Sequence, residues 1–266
     1  MRNNKTFIPL QEKIKQIRIP EIFEEHIRDV LIKWLLFVQV GIDSPDSVVN
    51  EIKEIFISKT NVYDVEECLN KYIWGYALNS SVEKGLREEE EMVFKEVEPH
   101  LIKGNALDVG TGSGIIAQKI NNAGYPMTII DVIDFNKSTL KSNIYDGVNI
   151  PFPDNSYDNV TLLTVLHHCD NYMNILDEAI RVCNKNLIVI ESVYIDQHEY
   201  YCNIFFDWLW NRVVYRDVNC PFHFHMPDEW EKIFIDKGMK IHESIDLGYD
   251  SPMTPEHHWL FVLKII

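Results

Sequence analysis

The stretch Asn105-Ala106-Leu107-Asp108-Val109-Gly110-Thr111-Gly112-Ser113-Gly114 decides the fold. A short apolar run enters a turn with three glycines, and a helical segment, Ile115 to Asn122, leaves it. Glycine reaches positive φ without steric cost and lets a ligand approach the backbone closely. The start of the following helix offers amides that no earlier turn has paired. The run therefore predicts a strand, a ligand-binding turn and a helix.

Outward from it, the pattern repeats. Ala106 to Val109, Thr128 to Ile130, Asn159 to Thr164 and Leu187 to Ile190 are short apolar runs separated by helical segments such as Ile175 to Val182. That alternation indicates a parallel sheet with crossover helices. Asp228 to Asp236 reads as a further helix. Lys240 to Leu247 and Trp259 to Ile265 read as strands that form an antiparallel edge. The expected fold is α/β: a Rossmann-like, seven-stranded, mostly parallel sheet with an antiparallel C-terminal edge strand, plus a helical N-terminal cap.

The glycine spacing selects among nucleotide sites. A nicotinamide dinucleotide site needs a third glycine to pack helix on strand, and Ile115 stands there. A phosphate loop needs Gly-Lys-Ser/Thr after its glycines, and none follows. What remains, acid-x-Gly-x-Gly-x-Gly from Asp108 to Gly114, resembles the first motif of class I S-adenosylmethionine (SAM)-dependent methyltransferases, in particular the small-molecule, type 11-like family. Three further segments carry the same resemblance in the same order: Thr128-Ile129-Ile130-Asp131, Tyr145-Asp146-Gly147 through Asp158, and Leu162-Leu163-Thr164-Val165-Leu166-His167-His168.

The resemblance, which covers roughly residues 85 to 195, implies a cofactor site. Asp108, Gly110, Thr111, Gly112 and Gly114 face the methionine part of SAM. Asp131 lies at about the spacing (roughly 20 residues) at which an acid meets ribose hydroxyls in folds of this kind, with Val132 beside it; Asp134 is the substitute. Asp146 accepts from the adenine amino group, and the Gly147 amide donates to a ring nitrogen. Leu163 and Thr164, at the exit of the fourth core strand, touch the cofactor. Asp154 and Asp158 read as turn residues.

Residues 1 to about 100 read as helical. Ser44-Pro45-Asp46 has the composition of a helix start, followed by Val48, Val49, Ile52, Ile55 and Phe56 at helical spacing. Further helices are expected over Glu21 to Gln39, Asp64 to Leu78, and Glu88 to Ile102 with Met92, Val93, Val97 and Leu101 on one side. The domain organisation read from this is a helical cap or dimerisation region, 1–84, and a methyltransferase domain, 85–266. An insertion at about 194–227 in that domain forms a substrate lid. Its aromatic run, Tyr194 to Tyr215, is read either as a helix packed on the core or as the wall of an apolar pocket.

Composition limits the partners. The formal net charge is −16, and nucleic-acid binders gain most of their affinity from Lys and Arg on phosphates, so a small-molecule acceptor is expected and nucleic acid is not. The longest apolar stretch, Trp34 to Val40, is too short for a span of roughly 20 residues, and no signal-peptide core follows Met1-Arg2-Asn3-Asn4-Lys5. Five scattered cysteines without a Cys-x-x-Cys pair argue against a disulfide framework. A cytoplasmic protein, as monomer or homodimer, is the expectation.

No amino-methylating signature or nucleophilic cysteine motif follows the fourth strand, so the nucleophile is expected to come from the substrate. Four histidines are the candidate catalytic residues. His223 and His225 alternate in Phe222-His223-Phe224-His225, and His257-His258 follows the turn-like Ser251-Pro252-Met253-Thr254-Pro255. Imidazole suits general-base work near neutral pH, and the same four residues are the alternative ligands for a divalent metal. The reading is methyl transfer from SAM to an oxygen or nitrogen, less readily a carbon or sulfur, of a small molecule in specialised metabolism. Two other readings stay open: a SAM-using reaction such as cyclisation of the cofactor, and a SAM-binding scaffold without catalysis.

Overall fold

The computed structural model describes residues 7–38, 44–59, 61–75, 80–214, 218–249 and 255–265. Gln39, Val40, Leu78, Tyr215, Ser251 to Thr254 and the first five residues therefore lie outside the described residues. The chain divides into two compact units. One comprises Met1–Arg87, Val193–Phe224 and Tyr249–His257; the other comprises Glu88–Ser192, His225–Gly248 and His258–Ile266.

The first unit is helical. Helix α1 is Phe7–Ile17, α2 is Pro20–Ile22, and a π turn, Phe23–Ile27, leads directly into α3, Arg28–Val38. Helix α4 is Pro45–Ser58 and α5 is Val62–Gly75. The start of α4 falls at Pro45 as the sequence predicts, but the Ser44 side chain makes no cap bond. Its carbonyl instead accepts from the Ser47 and Val48 amides. Val48, Val49, Ile52 and Phe56 are buried along one face. Helix α6, Ser80–Val97, whose residues from Glu88 on belong to the second unit, starts earlier than Glu88 and ends ahead of a 3₁₀ turn, Glu98–His100, because Pro99 cannot continue an α-helix.

The second unit holds a sheet. Strands β1 (Ala106–Val109), β2 (Met127–Asp131), β3 (Ser142–Ile144), β4 (Tyr157–Leu163), β5 (Cys183–Val193), β6 (Lys240–Tyr249) and β7 (His257–Lys264) lie in the order β3-β2-β1-β4-β5-β7-β6. The pairs β1·β2, β1·β4, β2·β3 and β4·β5 are parallel. The sheet is mixed and mostly parallel, with an antiparallel pair at the β6/β7 edge; the last strand is the inner member of that edge, between β5 and β6. Helix α7 (Ile115–Asn122) follows β1 and α8 (Tyr172–Val182) precedes β5. Val97, Ile120, Ile188 and Val262 share a buried cluster in this unit.

The order of the strands matters for function. From β1 the chain runs outward through β2 and β3, then returns to place β4 on the other side of β1. The two halves wind in opposite directions, so a crevice opens at the carboxyl ends of β1 and β4.

Helix α9, Gln197–Trp208, and a π turn, Leu209–Val214, complete the helical unit. Every residue from Cys202 to Trp208 is buried, the pattern of a helix enclosed on all sides. The aromatic run is thus the centre of this unit's core. Phe56 lies 5.5 Å from Phe205, 5.3 Å from Trp208 and 6.0 Å from Phe23, ring centre to ring centre. Helix α10, Pro227–Asp236, is the last helix among the described residues.

Phe56 is fully buried. Its replacement by Ala should cost about 3–5 kcal/mol, the usual range for emptying a core aromatic site. Urea denaturation of Phe56→Ala checks this. A loss under 1 kcal/mol would mean that the aromatic core can collapse around the vacancy.

Candidate cofactor site

At the crevice, Asp108 is the penultimate residue of β1 and sits in register with Thr161 of β4. The Thr161 hydroxyl donates to Asp108 Oδ1 at 2.6 Å and the Thr111 hydroxyl donates to Oδ2 at 2.7 Å. Burial pushes the Asp108 carboxyl up to about 6, against the pull of these two hydroxyls. The carboxylate thereby joins β1, β4 and the turn.

The turn needs its glycines. Gly110, Gly112 and Gly114 have φ of 72°, 53° and 70°, which L side chains rarely adopt. A Cβ on Gly110 would lie 2.8 Å from both methyl carbons of Val165. A Cβ on Gly112 would meet nothing within 4 Å, so this turn presents open backbone where a ligand can come close.

Asp131 ends β2 and is 9% exposed. Its Oδ2 accepts from the Gly112 amide at 2.9 Å, and its Oδ1 accepts from the amides of Val132 and Ile133 at 2.6 and 3.3 Å. Two carboxylate oxygens offer about four acceptor positions, so three amides leave capacity for a hydroxyl. The Tyr145 amide bonds to the Asp131 carbonyl at 3.0 Å, bringing the turn after β3 alongside. There Gly147, at φ 72°, approaches Val132: a Cβ on it would lie 2.9 Å from a Val132 methyl carbon. Val132 and Val148 are each 51% exposed, and apolar side chains of that kind suit the face of a flat base. Asp146 is exposed. Its Oδ1 accepts from the Val148 and Asn149 amides, each at 2.8 Å, and these bonds hold its carboxyl below the usual range.

The exit of β4 forms the other wall. Thr164 takes φ 56° and its amide donates to the Ile190 carbonyl at 2.7 Å. Glu191 of β5, which the sequence reading did not single out, pins the next turn. Its Oε1 accepts from the Val165 and Leu166 amides at 3.1 and 2.7 Å, and its Oε2 lies 2.6 Å from His167 Nδ1. Burial pushes the Glu191 carboxyl up to about 7, with the Leu166 amide the first of several opposing pulls. The signal was present in the sequence as an acid closing the apolar run Leu187 to Ile190.

The expected cofactor residues Asp108, Gly110, Thr111, Gly112, Gly114, Asp131, Val132, Asp146, Gly147, Leu163 and Thr164 all belong to β1, β2, β4 or the turns that leave their carboxyl ends and that of β3. The residues fit SAM: a loop open at Gly112, an acid with acceptor capacity ending the second strand, and exposed apolar side chains beside Gly147.

Three of the four histidines have described side-chain partners, each a different one. His257 Nδ1 lies 3.3 Å from both Glu199 oxygens, and its ring centre is 5.1 Å from that of Tyr249. His258 Nε2 lies 3.0 Å from the Ser192 hydroxyl. His225 Nε2 lies 3.0 Å from the Tyr172 hydroxyl, and its ring packs edge-on to Trp230 at 4.8 Å. His223 is half-buried, and no regular strand runs from Phe222 to Phe224, since Phe222 takes φ 59°. Among the described residues these four histidines form no group of three ligands placed to share one ion.

Comparisons with known proteins agree with this geometry. Residues 107–190 match the family model described as a methyltransferase domain. An uncharacterized protein of Methanocaldococcus jannaschii is 27% identical over 137 residues, which are 50% of this chain and 66% of that protein. The chain thus spans about two thirds of that relative's length. A SAM-dependent methyltransferase of Thermotoga maritima, described as a possible histamine N-methyltransferase, superposes with a TM-score of 0.53 at 16% identity, over 75% of this chain and 97% of that one. A SAM-dependent methyltransferase of Methanosarcina mazei gives 0.50 at 16% identity, over 64% and 97%. The matched segment lies wholly inside the unit that carries the glycine turn, Asp131 and Glu191. Residues 107–190 carry a methyltransferase domain, and the sheet that holds them has the fold of SAM-dependent methyltransferases.

Two outcomes follow from the site. Asp131→Ala should weaken S-adenosylhomocysteine by about 1.5–3 kcal/mol, the cost of losing hydrogen bonds to a charged acceptor. Calorimetry on the folded variant checks it, and unchanged affinity removes Asp131 from the ribose contact. Glu191 gives a pH dependence. Its carboxyl is raised in the folded state, so its contribution to stability is complete below about pH 4.5 and is lost as pH rises through about 7. Against the parent protein, Glu191→Gln should therefore gain about 3 kcal/mol in urea denaturation between about pH 4 and pH 8. A constant difference would mean that Glu191 ionises like an exposed carboxyl.

Proposed function

We propose that this chain transfers the methyl group of SAM to an oxygen or nitrogen of a small molecule, and that the helical unit binds that acceptor. SAM, when bound, supplies a methyl carbon activated by a sulfonium. The observation that carries the reading is the glycine turn, open at Gly112 and tied to Asp131, within the segment that matches a methyltransferase domain; the candidate base is His257, which pairs with Glu199 in the helical unit. Glu199 is 5% exposed and His257 is 5% exposed, and a carboxylate at Nδ1 fixes the tautomer and orientation of the ring. An imidazole held in this way serves to receive the proton that an O–H or N–H acceptor gives up. The thiols are poor alternatives. Burial pushes Cys169 and Cys202 each up to about 12, so both stay protonated at neutral pH and neither is a thiolate nucleophile.

A polymer substrate is not favoured. The net charge of −16 opposes a phosphate backbone, and among the described residues no helix is long and apolar enough to cross a membrane. Nitrogen is included because the Thermotoga maritima protein of the same fold is described as a possible histamine N-methyltransferase.

Incubation of the protein and SAM with separate panels of phenols, alcohols and amines tests the reading. A product one methyl heavier, formed together with S-adenosylhomocysteine, is expected from at least one oxygen or nitrogen acceptor. His257→Ala should slow that turnover by about 100-fold, the low end for loss of a general base, while S-adenosylhomocysteine affinity holds. Normal turnover in His257→Ala would show that the acceptor loses its proton elsewhere.

A further inference from the structure

The helical unit contains a cavity of about 840 Å³, inside the range of small-molecule sites, roughly 300–1,000 Å³. Its aromatic lining comes from Trp34, Phe37 and Tyr249, and its acidic lining from Glu199. Two basic side chains, Lys33 and His198, also line it, and both are exposed to solvent.

Burial separates these charges. An exposed ammonium or imidazole is hydrated and screened by salt. Glu199 is buried, and its field acts through a medium of lower dielectric constant. Its carboxylate accepts from the Tyr249 hydroxyl, from the Ile195 amide at 2.7 Å and from His257 at 3.3 Å. Three donors on about four acceptor positions leave room for one more. Aromatic faces attract a cation through their quadrupole. An anion would face both Glu199 and the chain's charge of −16.

We infer that this cavity binds a small molecule with a flat apolar body and a protonated amine, the body against Trp34, Phe37 and Tyr249 and the amine against Glu199. The binding itself is independent of the methyl-transfer reading; only the ligand's role as methyl acceptor rests on it.

Three probes with one body and different charge test the inference on the full chain: tryptamine, uncharged 3-ethylindole and anionic indole-3-propionate, each titrated calorimetrically without SAM. Tryptamine should bind about tenfold or more tightly than the other two. Glu199→Gln should abolish that preference while 3-ethylindole affinity changes less than about twofold. Glu199 also holds Ile195 and Tyr249, so a second variant is needed if that one does not fold. Leu36→Arg, at an exposed residue of the lining (56% exposed), should weaken tryptamine and strengthen indole-3-propionate. No saturable binding of tryptamine at millimolar concentration, equal binding of all three probes, or a preference for the anion would overturn the inference. Unchanged tryptamine affinity in Leu36→Arg would overturn its location. S-adenosylhomocysteine affinity, measured on the same preparations, reports the cofactor unit separately. A protein that methylates an acceptor but shows no amine preference fails this inference alone. One that binds tryptamine through Glu199 yet methylates no oxygen or nitrogen fails the earlier reading alone.

Discussion

The cofactor unit depends on one buried carboxylate. Asp108 sits where β1 ends, and each of its oxygens is claimed by a threonine, Thr161 across the sheet and Thr111 within the turn. Burying an acid is costly unless it is hydrogen-bonded. Here both partners come from segments whose relative positions must be exact for a ligand to fit. If the turn moved away, Thr111 would leave Oδ2 unsatisfied in a dry place. The penalty for an unmade bond therefore keeps the turn closed over the end of β1. Asp131 does the same from the neighbouring strand through the Gly112 amide, and Glu191 from beyond β4 through the Val165 and Leu166 amides. Asp108 through two hydroxyls, and Asp131 and Glu191 through backbone amides, hold these turns in place before any cofactor arrives.

The helical unit is organised by packing instead. Its core joins Phe23 and Phe56 from the N-terminal helices with Phe205 and Trp208 from α9, more than a hundred residues later. One carboxylate inside it gathers two donors: the Trp208 indole donates to Glu66 at 3.3 Å, and the Arg212 guanidinium reaches the same carboxylate at 3.2 Å. The π turns at Phe23–Ile27 and Leu209–Val214 are the irregular steps of these helices. Each inserts an extra residue into the helical repeat, which rotates the side chains that follow.

Legibility in the sequence followed the range of the interactions. Ala106 to Val109 and Ile115 to Asn122 were readable to the residue, because the local apolar pattern and the glycines specify them without help from distant chain. β3 was not readable: Ser142-Asn143-Ile144 has no alternating pattern and becomes a strand by pairing with Ile129 to Asp131. The acids Asp108 and Asp131 were legible because each stands at or next to the end of an apolar strand ahead of a turn. Glu199 could not, since its partners Tyr249 and His257 lie some fifty residues away and nothing local marks it. For the same reason the histidines were legible but their partners were not. Their spacing suggested one extended segment and one strand end, whereas Phe222 at φ 59° interrupts the first, and each ring whose bonds are described has its own partners.

The aromatic segment between β5 and β6 shows how a sequence boundary and a structural boundary differ. Along the chain, about 194–227 reads as an insertion into the methyltransferase domain, and the structure assigns 193–224 to the helical unit. In space its residues share a core with the N-terminal helices, in a unit that the chain enters three separate times. Neither contribution can bury its own aromatics: without α9, Phe23 and Phe56 lose the ring of Phe205, and without the N-terminal helices a helix enclosed on every side would stand in water. At about 25 cal/mol per Å² of apolar surface, exposing several such side chains exceeds the roughly 5–15 kcal/mol that separates a folded domain from its unfolded chain. Removing residues 1–84 would therefore test the folding of α9 before it tested any capping role. The N-terminal helices and the segment after β5 act as one piece, and a function assigned to either belongs to both.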